Sequence, residues 1–147
     1  MSTYLGLHYH LVFGTKHRKP IIAREWRKRF HDYMGGIING LDGFPQSIGG
    51  VEDDVHLLVG LKATHRLSDV LRELKKASSV WVHEQIGLSS FAWQEGYAAF
   101  TVSPTMRETT KAYITNQEEH HRKRSFLEEL IEMLELAAID YNAEYLM

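Results

Sequence analysis

Two short stretches carry residue types that could do chemistry together. In Asp53-Asp54-Val55-His56-Leu57-Leu58-Val59, the two-residue period of a strand puts Asp54, His56 and Leu58 on one face. Val55, Leu57 and Val59 fall on the other. A carboxylate and an imidazole then stand about 6 to 7 Å apart along the backbone on an open sheet face, where both can reach one divalent cation. The pair also suits a plain carboxylate–histidine hydrogen bond at a strand end. In Lys111-Ala112-Tyr113-Ile114-Thr115-Asn116-Gln117, Tyr113 and Gln117 lie one turn apart on a helix face. A phenol and a carboxamide oxygen can then share a site, although a rim tyrosine and a solvated glutamine would give the same spacing.

The elements that must hold these residues are legible from periodicity. Residues 4–14 alternate, with Leu5, Leu7, Tyr9, Leu11 and Phe13 on one face and His8, His10 and Val12 on the other, the pattern of a strand. Over residues 23–40, Trp26, Phe30, Tyr33, Ile37 and Leu41 form an apolar stripe at helical spacing. Strands follow near 45–51 and 54–61, joined by the acidic turn Glu52-Asp53. A second helix fits 69–86, with Ser68 as N-cap and Gly87 as terminator. The aromatic-rich stretch 91–103 reads as a strand or bent hairpin. Thr105-x-x-Glu108 and Ser125-x-x-Glu128 are capping boxes opening two further helices. The order is β-α-β-β-α-β plus two C-terminal helices. That predicts an α+β, ferredoxin-like antiparallel sheet with helices on one face, in a single domain over 1–147.

Composition narrows the function classes. The 147 residues, 44% of them hydrophobic, suffice for one core. No cysteine is present, which excludes disulfides, thiolate metal sites and cysteine nucleophiles. The N-terminal apolar run is short and studded with histidines, unlike a signal peptide or membrane span, and a cytoplasmic location is expected. A net charge of −2 argues against a uniformly basic coat. Basic residues are nonetheless clustered at Lys16, Arg18 and Lys19, and again at His120, His121, Arg122, Lys123 and Arg124. Such clusters suit phosphate contact, with Trp93 and Tyr97 either stacking bases or filling the core.

Taken together, the motifs resemble those of the single-tyrosine HUH transposases, small insertion-sequence enzymes that include the REP-associated tyrosine transposases. The likeness runs through HYHLVFGTKHRKP, EDDVHLLV, FAWQEGYAAFTVS and YITNQEEHHRKRSF, nearly the whole chain. It implies a metal-assisted DNA cut in which Tyr113 attacks a phosphodiester, forms a 5′-phosphotyrosine link and frees a 3′-hydroxyl. His56 and Gln117 match metal ligands of that family, and Mg²⁺ or Mn²⁺ is the cofactor implied. A homodimer acting on single-stranded, hairpin-containing DNA is implied as well, with active sites in some members shared between subunits.

Position 54 departs from the family, which carries histidine there. A carboxylate is a hard ligand suited to Mg²⁺ or Mn²⁺, so Asp54 is a candidate third ligand. The alternative is a weakened relative that binds DNA hairpins without efficient cleavage. A ferredoxin-like RNA-binding domain ranks below both, because the aromatic patterns of paired central strands are missing.

Overall fold

The computed structural model describes residues 1–146. Four strands, β1 (Leu7–Gly14), β2 (Phe44–Gly49), β3 (Asp54–Leu61) and β4 (Ala98–Thr101), form one sheet in the order β2-β3-β1-β4. All neighbours are antiparallel, as the β-α-β-β-α-β order requires. Helices α1 (Arg24–Gly40) and α2 (Leu67–Trp81) cover one face. They bury Leu11, Phe13, Val55, Leu57 and Val59 against Trp26, Phe30, Met34, Ile38, Val70, Leu71 and Leu74. The α1 stripe therefore turns through Met34 and Ile38, and Tyr33 is exposed, stacked on Trp81.

The second face is not open. Helices α3 (Arg107–Thr115), α4 (Gln117–His121) and α5 (Phe126–Leu136) follow β4. Phe126, Leu130 and Leu134 of α5 pack on Val12, and the α3 backbone presses against β2. At Gly49 a Cβ would lie 2.1 Å from the Ile114 carbonyl oxygen, so only glycine lets α3 sit this close. Gly49 pairs with His56 in the ladder, which brings the Tyr113 helix directly over β3.

Several local expectations change. The second helix opens on Arg66 rather than Ser68. After Trp81 it runs through a wider turn over Val82–Ile86, ending at the left-handed Gly87. Thr105 does not cap α3: its hydroxyl meets Ser103 instead, and Met106 takes the N-cap position. Ser125 and Glu128 do form the capping box of α5. Of the 91–103 stretch only Ala98–Thr101 is strand, with Trp93 bridging to Thr15. Leu5 lies outside β1 and is exposed. Among the described residues, no helix is long and apolar enough to cross a membrane.

Candidate active site

The alternation of β3 points Asp54 and His56 away from the α1–α2 core, into the layer roofed by α3, α4 and α5. Both are fully buried. His56 Nε2 lies 3.5 Å from Asp54 Oδ2 and 2.9 Å from Glu129 Oε1. His121 Nε2 reaches the same oxygens, 2.9 Å from Asp54 Oδ2 and 3.6 Å from Glu129 Oε1. The other Asp54 oxygen accepts the Val51 backbone N–H at 3.0 Å, which fixes the carboxylate in the β2–β3 turn. Behind His56, its Nδ1 meets His10 Nε2 at 2.9 Å.

Tyr113 and Gln117 do converge, although not on one continuous helix. The chain breaks at Asn116 between α3 and α4. Gln117 Nε2 bonds back to the Tyr113 carbonyl at 3.3 Å, and its Oε1 is buried without a partner. The Tyr113 hydroxyl donates to Glu129 Oε2, so the two oxygens of Glu129 face the phenol and the histidines respectively. Tyr113 also lines a cleft of about 270 Å³ with His10, Thr109, Thr110 and Arg124, its route to solvent.

The electrostatics follow from burying two carboxylates beside two imidazoles. Burial alone would lower His56 and His121, but Asp54 and Glu129 outweigh it and hold them at about 9 and about 10. Burial alone would raise Asp54, yet His121 and His56 hold it at about 2, and Glu129 is lowered for the same reason. The Tyr113 phenol is raised, first by burial and then by the Glu129 carboxylate, with Gln117 acting the other way. His10 is lowered to about 3, by burial and then by the neighbouring His56.

These residues fit a divalent cation. Asp54, His56, His121 and Glu129 each offer one ligand atom, all within 4.8 Å of one another. Asp54 Oδ2, His56 Nε2, His121 Nε2 and Glu129 Oε1 are buried and, despite their short separations, make no aligned hydrogen bonds. Buried polar atoms are ordinarily satisfied, and a shared cation would satisfy all four. Two imidazoliums and two carboxylates are neutral together, so exchanging two protons for one divalent ion leaves the buried charge unchanged.

The remaining candidates divide. Arg18 lies over the Phe126 ring, which brings the Lys16–Lys19 segment to the start of α5. Arg122 pairs with Glu119 at 3.2 Å, and Arg124 pairs with Glu132. Lys16, Lys19 and Lys123 are exposed. His120 packs against Tyr113 with the rings tilted, their centroids 4.6 Å apart. Trp93 is a core residue, donating to Ser78 and packing on Phe13, so it offers no base platform. Tyr97 is partly exposed. Three site residues escaped the motif reading: His10, Glu129 and His121 as a cluster member. The alternation of HYH put His10 on the correct face, but nothing in local spacing links positions 121 and 129 to β3.

Comparison with known proteins agrees with this geometry. Residues 3–117 match the family model described as IS200-like transposase. The ISDra2 transposase TnpA of Deinococcus radiodurans is 27% identical over 119 residues, covering 76% of this chain and 84% of its own. The crystal structure of a candidate transposase from Deinococcus radiodurans R1 superposes with a TM-score of 0.63 at 27% identity, covering 80% of this chain and 95% of that one. A REP-associated tyrosine transposase bound to a REP hairpin shares the fold, with a TM-score of 0.57 at 15% identity over 78% of this chain and 70% of that one. With residues 3–117 matched to one family model and the fold shared with solved transposases, one assignment remains: this chain belongs to the IS200-like transposase family, and its function is that of a DNA transposase.

Proposed function

We propose that the chain cuts and rejoins single-stranded DNA through Tyr113, with Asp54, His56 and Gln117 holding Mg²⁺ or Mn²⁺. The observation that carries this reading is the Tyr113 hydroxyl bonded to a carboxylate, Glu129, whose other oxygen faces His56. A free phenol is a weak nucleophile near neutral pH. Here its proton has an acceptor already in contact. Tyr113 Oη attacks the scissile phosphorus as its proton passes to Glu129 Oε2. The P–O3′ bond breaks, and the departing 3′-oxygen takes a proton from water. Attack by a 3′-hydroxyl on the phosphotyrosine reverses these steps, so joining needs no nucleotide cofactor. A bound divalent ion would neutralise charge on the phosphate oxygens.

The exposed Lys16, Lys19 and Lys123, with Arg18, His120, Arg122 and Arg124 nearby, would take the DNA backbone. A hairpin substrate is supported by the REP hairpin held by the structural neighbour, and a homodimer by the family resemblance. The test is incubation with single-stranded hairpin oligonucleotides from the flanks of the gene, in Mg²⁺ or Mn²⁺. Metal-dependent nicking and rejoining without ATP, lost in Tyr113→Phe, is the expected result. Tight hairpin binding with no nicking under either metal would leave a DNA-binding relative instead.

A further inference from the structure

Half of the buried cluster comes from beyond the segment that matches the family. The match ends at Gln117, whereas His121 closes α4 and Glu129 lies within α5. We propose that His121 and Glu129 are metal ligands in addition to Asp54, His56 and Gln117, so that the C-terminal helices complete a site that prefers Mn²⁺ to Mg²⁺. The inference rests on the metal-assisted reading above and specifies its ligand set.

The geometry fits. Around an octahedral ion with bonds of about 2.2 Å, neighbouring ligand atoms lie about 3.1 Å apart, and four such ligands leave further positions open. The four measured edges here are 2.9, 2.9, 3.5 and 3.6 Å. The rival arrangement is a metal-free ion-pair quartet, which would call for aligned hydrogen bonds; all four atoms lack them. The ligand types also choose the ion, since two imidazole nitrogens favour Mn²⁺ over Mg²⁺, which demands oxygen. Asp54 fits this set. A third imidazole at position 54 would forfeit the bond from Val51 N–H and crowd His121, so the departure at 54 and the histidine at 121 belong together. Glu129 binds through Oε1, leaving Oε2 on Tyr113.

Calorimetric titration of the full chain with Mn²⁺ and with Mg²⁺ decides it, alongside His56→Ala, His121→Asn and Glu129→Gln. The expected result is Mn²⁺ bound at least tenfold more tightly than Mg²⁺ by the wild type. His121→Asn and Glu129→Gln should each weaken Mn²⁺ binding tenfold or more. As a second readout, Mn²⁺ should protect the segment after residue 121 from protease in the wild type and not in folded His121→Asn. If both variants bind Mn²⁺ like the wild type while His56→Ala does not, the added ligands are wrong and the metal-assisted reading stands. If the wild type binds neither metal, both fall.

Discussion

Each side chain of the site is held by a neighbour that decides which of its atoms faces inward. His10 is the clearest case. Kept neutral by burial, its Nε2 accepts the proton on His56 Nδ1, which leaves His56 Nε2 aimed at Asp54 and Glu129. An outer partner of this kind fixes both tautomer and ring orientation. His10→Phe preserves the bulk but removes the acceptor, and should weaken Mn²⁺ binding roughly 10- to 100-fold with little change in far-ultraviolet circular dichroism. Wild-type affinity in His10→Phe would show that His56 needs no such support. The same logic separates Asp54 from a degenerate histidine, because one of its oxygens ties down the Val51 turn while the other enters the cluster.

At the scale of elements, the close seat of α3 on β2 is what delivers Tyr113 to His56. Gly49→Ala would drive a methyl group into the Ile114 carbonyl, forcing α3 off the sheet. Its melting temperature and oligonucleotide cleavage should both drop. Gly36→Ala is the control: it meets nothing within 4 Å in the middle of α1 and should stabilise by about 0.5–1 kcal/mol. A Gly49→Ala protein as stable as the wild type would contradict the packing argument. Helix α1 carries a second test in His31, held down at about 4 by burial and then by Arg27. The unfolded chain takes up that proton first, at its ordinary value of 6.5. The stability contribution is therefore complete above pH 6.5 and is lost as pH falls through about 4. Urea unfolding at pH 7 and pH 4.5 should show the wild type losing on the order of 2 kcal/mol more than His31→Gln. Parallel losses would mean His31 is not buried as described. The strands and the two core helices were legible because their apolar periods repeat over many residues. The ends were less so: Thr105 has the capping-box spacing, but α3 starts too late for its hydroxyl to reach a helical N–H.

For the whole molecule, the element order made the sheet and its strand pairing readable, since β-α-β-β-α-β leaves few antiparallel arrangements. The roof over the second face was not readable. Phe126, Leu130 and Leu134 signal a helix with an apolar stripe, but no local pattern says which surface it covers. That is why His56 was expected on an open face and lies fully buried. It is also why Glu129 went unnoticed, for its role exists only once α5 is docked. Tyr113, His56 and Gln117 were legible as candidates because two short motifs carry them, and the docked helices bring Tyr113 to the cluster. The central claim concerns the fate of the Tyr113 oxygen, and peptide mapping reads it directly. After incubation with a hairpin oligonucleotide and Mn²⁺, protease digestion and mass spectrometry should find a nucleotide 5′-phosphate on the peptide containing Tyr113, and none in Tyr113→Phe. Nicking with no protein-bound phosphate, or an adduct that survives in Tyr113→Phe, would contradict the account.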